Sequence, residues 1–151
     1  MAGTFEVAVQ TSGAAAASPI CVLQNTAATG GPRLRLKEFG LTTNAATLSQ
    51  VGLVRSTSLG LVSGTPAAGQ PTDDRDPTVP VGSIATGWTT PPSVGSGFLR
   101  EFVAAAVQGS GVVWTWPADR PLVVSPGGGL VLFNFGSGFA SALSAYAVWE
   151  E

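Results

Sequence analysis

Few residues in this 151-residue chain could do chemistry, and most of the usual catalytic sets are incomplete. The chain has no histidine. It therefore cannot build a Ser-His-Asp or Cys-His nucleophile pair, an imidazole metal site, or the common acid–base group that works near neutral pH. Cys21 is the one cysteine and sits in the apolar run Ile20-Cys21-Val22-Leu23, where it reads as a small core residue. A lone cysteine forms neither an intramolecular disulfide nor a cysteine zinc cluster. Lys37 is the only lysine and falls on a strand that reads as exposed, a poor place to activate an amine.

Carboxylates are the remaining candidates. Glycoside hydrolysis needs a facing pair of them. None of the nine Asp and Glu residues lies in the aromatic-rich setting that frames a sugar site. Asp73, Asp74 and Asp76 could offer oxygen ligands to calcium. Arg75 lies among them, Pro77 follows, and the spacing Asp-x-Asp-x-Asp-Gly is missing, so the cluster reads as a solvated turn. Gly127-Gly128-Gly129 precedes a strand rather than a helix, so it lacks the helix N-terminus that cradles phosphate and reads as a strand connection. The expectation is a protein that is not an enzyme and needs no cofactor and no metal.

Trp88, Trp114, Trp116 and Trp149 form the last constellation. Exposed, they would make a carbohydrate platform. Packed, they belong to the core or to a subunit interface, where Trp is favoured. Trp114 and Trp116 share a strand face, and Arg120 follows closely. With Tyr146 and Trp149 on the terminal segment, they are the candidate subunit-interface residues.

The elements that must position these groups are strands. Thr4 to Gln10 places Phe5, Val7 and Val9 on one face. Residues 33–39 alternate, with Leu34 and Leu36 opposite Arg33, Arg35 and Lys37, as in a half-buried strand. Further strands are predicted over 19–24, 50–56, 81–88, 98–107, 111–116, 121–124, 130–135 and 142–149. The segment 130–135 is apolar on both faces, so it is central. Residues 40–49 read as a loop. Residues 64–79, rich in Pro, Gly and Asp, read as a long exposed excursion. Its charged part, Asp73, Asp74, Arg75 and Asp76, is the candidate for touching a neighbour. No helix is long enough for a βαβ crossover. About eight to ten strands separated by turns predict one all-β domain over 1–151, an antiparallel sandwich of jelly-roll type, with an immunoglobulin-like sandwich also fitting the strand count.

Composition narrows the partners. Charged residues are 11% of the chain, against about 25% in ordinary soluble domains. An uncharged surface suits contact with protein, because little charge must be desolvated. The net charge of −2 argues against nucleic acid, which needs a basic patch. No apolar run reaches the ~18 residues of a membrane helix, and no signal peptide is recognisable at the N-terminus, so synthesis and folding in a cytoplasm are expected.

The succession Glu38-Phe39-Gly40, then Gln50-Val51-Gly52-Leu53-Val54-Arg55, is similar to the small structural proteins of tailed phages of actinobacterial type. So are Gly87-Trp88, Phe98-Leu99-Arg100, Val113-Trp114 and Gly129-Leu130-Val131-Leu132. The resemblance spans most of the chain and includes no active-site motif. It implies a single tumour-necrosis-factor-like jelly roll, a homotrimer, and a place on the exterior of the virion. The implied role is capsid decoration (cement) or minor capsid protein, in contact with the major capsid protein or another virion protein. A carbohydrate- or receptor-binding module of a phage appendage is the alternative on the same fold.

Overall fold

Alternating apolar and small polar residues fold here into two stacked sheets. The computed structural model describes residues 3–44, 46, 49–75, 78–136 and 142–151, and among them there is no helix. The front sheet holds β1 (Thr4–Gln10), β3 (Leu34–Thr43), β7 (Gln70–Pro71), β11 (Gly111–Thr115), β12 (Leu122–Val124) and β14 (Leu143–Glu150). Its order is β11-β3-β14-β1-β7, and β12 also pairs with β3. The back sheet holds β2 (Ser18–Asn25), β4 (Ser49–Ser58), β6 (Ala67–Ala68), β8 (Gly82–Ala85), β10 (Ser93–Ala104) and β13 (Gly129–Asn134), in the order β10-β4-β13-β2-β8-β6. A separate ribbon pairs β5 (Leu61–Val62) with β9 (Trp88–Thr90). Every pairing is antiparallel. The protein is an antiparallel β-sandwich. Its long strands are divided between the sheets in an order consistent with a jelly roll.

The core lies between the sheets. Phe5, Leu34, Leu36, Phe39 and Trp149 meet Leu23, Val51, Leu53, Leu130 and Leu132 from the other side. Each large apolar side chain buried this way contributes about 1.5–3 kcal/mol. Along β14 the alternation is complete, with Leu143, Ala145, Ala147 and Trp149 inward and Ser144, Tyr146, Val148 and Glu150 outward.

Three expectations change. β3 runs on to Thr43, because a bulge at Lys37 resets its phase: Val148 pairs with Glu38, but Trp149 pairs with Leu36. Lys37 and Glu38 therefore both face outward, and Phe39, Leu41 and Thr43 return to the interior. The excursion 64–79 is not free. Its β6 pairs with β8 in the back sheet and its β7 with β1 in the front sheet, so it bridges the two layers. The described strands number fourteen, and the excess over the expectation consists of pieces of two or three residues.

Candidate functional site

The two broad outer faces of the sandwich differ. Val22, Val54, Ala85 and Val131 point out of the back sheet and form a second apolar cluster. The chain covers it with Leu59, Val62 and Trp88 from the β5–β9 ribbon and its flank, and with Val94 and Phe98 of β10. Phe98 lies 4.9 Å from Phe135 and 6.4 Å from Phe133 between ring centroids. Trp88, which the sequence left between platform and core, packs in this roof, and its buried indole Nε1 has no hydrogen-bond partner among the described residues.

The front sheet's outer face has no such cover among the described residues. Cross-strand register sorts it into rungs. The central rung runs Ala8, Tyr146, Gly40, Val113 and carries no charge. On one side lies the uncharged rung Gln10, Ser144, Thr42, Gly111. On the other lies Glu6, Val148, Glu38, Thr115, and beyond it Thr4, Glu150, Arg35, Val123. Charge thus collects toward one end of the face.

Tyr146 dominates the centre. Its ring lies flat over Gly40, where a Cβ would come within 2.1 Å of Cε1, so only glycine permits this placement. Its hydroxyl donates a 2.5 Å hydrogen bond to Glu38 Oε1. That bond raises the phenol's pKa above its ordinary 10.0, and burial and the Glu38 charge add in the same direction. Nearby, Lys37 Nζ pairs with the Glu150 carboxylate. A shallow depression of about 430 Å³ beside the ring is lined by Glu6, Val7, Ala8, Gln70 and Tyr146.

The other candidate interface residues are placed differently. Trp149 is 0% exposed and stacks on Phe5 with centroids 6.2 Å apart. Gly69 and Gly82 close over its indole so tightly that a Cβ at either would sit 2.5–2.7 Å from the ring. Trp114 is 8% exposed and stacks on Phe39 at 6.3 Å. Both are core residues of the sandwich and are corrected from interface candidates: they share the inward face of their strands. Trp116 is half-buried against the core, with the Arg100 guanidinium 5.7 Å from its ring centroid. Tyr146 alone of the four projects from the open face.

Asp73, Asp74 and Arg75 are exposed, and Asp73 Oδ1 accepts the Arg75 backbone N–H at 3.0 Å. Asp76 lies outside the described residues. No group of three or more His, Cys, Asp or Glu among the described residues is placed to hold a metal ion. Burial pushes the Cys21 thiol up to about 12, which leaves it without thiolate character at neutral pH.

Two groupings escaped the sequence. The Glu151 side chain accepts N–H bonds from Val81, from Gly82 at 2.8 Å and from Trp149 Nε1 at 2.9 Å, tying β14 to the start of β8. Arg33, Arg35 and Arg120 meet around a second depression, of about 600 Å³, at the β12 edge. The residue pattern sets Arg33 and Arg35 on one strand face, but it signals neither the approach of Arg120 nor the Glu151 contacts to Val81 and Gly82, because these join segments tens of residues apart. No known family model matches the chain, and no curated protein matches it.

Proposed function

We propose that this chain is a non-enzymatic structural subunit that works by packing against copies of itself through the open face of the front sheet. What supports the reading is the contrast between the two faces. The back sheet's outer apolar surface is satisfied by the chain's own roof, whereas the front face presents an uncharged central rung around Tyr146. Small residues on either side of a single flat aromatic ring let another surface approach closely, and little charge is desolvated when it does. A closed cyclic oligomer buries the same patch on every copy, and a stable contact needs about 1,000 Å² or more.

With the resemblance to small phage structural proteins, the specific reading is a homotrimeric decoration or minor capsid protein on the outside of a virion. Its partner there is the major capsid protein or another virion protein. A decoration subunit needs a rigid fold and a mostly uncharged flank rather than a reactive group.

Light scattering coupled to size exclusion tests this. The expected mass is three times 15.2 kDa for the wild type and 15.2 kDa for Tyr146→Asp, with an unchanged far-ultraviolet spectrum. A wild type that stays monomeric at all concentrations, or a Tyr146→Asp variant of unchanged mass, overturns the open-face contact. A monomeric wild type brings glycan binding, read by tryptophan fluorescence, forward as the alternative.

A further inference from the structure

The chain carries seven Lys and Arg residues in all, and four of them gather at one edge of the sandwich. Arg33 and Arg35 enter and begin β3, and Arg120 sits in the turn before β12, closed by its own N–H to Pro117 O at 3.0 Å. Arg55 reaches across from β4 to donate to Val123 O at 2.9 Å. Buried Asn25 holds this corner in shape, donating to Pro32 O at 2.9 Å and Val124 O at 3.1 Å.

Arg33, Arg35 and Arg120 line the depression together with Pro32, Asp119, Pro121, Val123 and Glu151. Their charge is compensated only in part: Glu150, across the strand pair from Arg35, is engaged by Lys37. Arg33 and Arg35 have no hydrogen-bond or ion-pair partner among the described residues, and Arg120 has only the exposed Asp119 at 3.9 Å. The carboxylate of Glu151, also in the wall, is taken by three N–H donors.

The opposite edge of the same sheet carries the complement. Thr72 bonds through its backbone N–H and its hydroxyl to Thr4 O, at 2.9 and 3.2 Å, and leads directly into exposed Asp73 and Asp74. Thr4 lies on the rung that continues through Glu150 to Arg35 and Val123. The acidic turn and the arginines therefore stand at the same level of the sheet, at its two edges. Arg35 on β3 is three strand spacings from β7, about 14 Å, and β12 is four, about 19 Å, so the side chains do not meet within one molecule.

We infer that the Arg33–Arg35–Arg120 depression is a docking site for carboxylates, and that its occupant is the Asp73–Asp74 turn of a second copy of this chain. The inference rests on the self-association proposed above and supplies its polar contact. Rotation about an axis running along the strands turns the open face inward. It also brings the β7 edge of one copy beside the β12 edge of the next, with acid and base at matching height. Such a contact is heterologous, and it closes into a ring when the rotation closes. Arginine's planar fork suits paired recognition of a carboxylate.

Charge reversal in the full-length protein tests the contact. Arg33→Glu with Arg35→Glu in one variant, and Asp73→Lys with Asp74→Lys in another, should each weaken assembly by about tenfold or more. The variant carrying all four changes should recover it, which also shows that the reversals do not unfold the chain. Wild-type assembly should weaken in about 0.5 M salt, where the screening length falls to about 4 Å. A wild type that assembles but ignores salt and both reversals overturns the edge contact and leaves the open-face reading standing. So does a fourfold variant that fails to recover although folded. A wild type monomeric at all concentrations removes both.

Discussion

Replacing Glu151 tests how the two sheets are tied together at the arginine end. The Glu151 carboxylate is the acceptor for Val81 N–H at 3.0 Å, Gly82 N–H at 2.8 Å and Trp149 Nε1–H at 2.9 Å. The first two donors lead into β8 of the back sheet, and the third belongs to the largest side chain of the core. Hydrogen bonds to a charged acceptor contribute about 1.5–3 kcal/mol each, and a buried donor left without a partner costs about 1–3 kcal/mol. The site is only partly buried, so the lower ends apply. Glu151→Ala should then destabilise the protein by about 3–5 kcal/mol. Glu151→Gln keeps one oxygen but sets an amide N–H against Val81 N–H and loses the charge, for a cost of about 1–2 kcal/mol. The order Ala, then Gln, then wild type is the informative part. Urea unfolding followed by tryptophan fluorescence reads it, with the slope unchanged if the unfolded states match. If Glu151→Ala lies within about 0.5 kcal/mol of the wild type, the carboxylate does not hold the sheets together and the reasoning is refuted.

Two further outcomes follow from the faces of the sandwich. Tyr146 is the only tyrosine, so absorbance titration reports it alone; the phenol should ionise above pH 10 in the folded protein. Because the folded pKa exceeds the unfolded one, the associated stability is complete below pH 10 and is lost as pH rises toward the folded value. Tyr146→Phe should reduce the alkaline slope to the part that buried Cys21 contributes, and a slope unchanged from the wild type refutes the Tyr146 contribution. Phe98→Ala should open the roof of the back sheet, cost about 2 kcal/mol for a half-buried ring, and raise binding of a hydrophobic dye. An unchanged stability and dye signal would mean that the ring contributes nothing to that cover.

Much of the sandwich is legible in residue order, for a local reason. Successive strand side chains point to opposite faces, so alternation alone sorts Ala145, Ala147 and Trp149 from Ser144, Tyr146 and Val148. The turn-rich composition and the lack of helical spacing determine an all-β chain. The absence of histidine and the lone, apolar-flanked cysteine are also facts of sequence alone, and they limit the chemistry available.

Register and layer were decided only in three dimensions. The bulge at Lys37, which turns Glu38 outward to meet Tyr146, exists because β3 must match β14 and still keep Phe39 inside. Residues 64–79 read as a loop because short pairings such as Ala67–Ala68 with β8 have no periodicity of their own. Trp114 and Trp149 read equally well as core or interface, since a large ring satisfies either, and only the opposing sheet shows which surface covers them. The acidic turn and the arginines share a rung because β7, β1, β14, β3 and β12 align. Strand pairing across more than a hundred residues sets that alignment, and local residue preferences do not encode it.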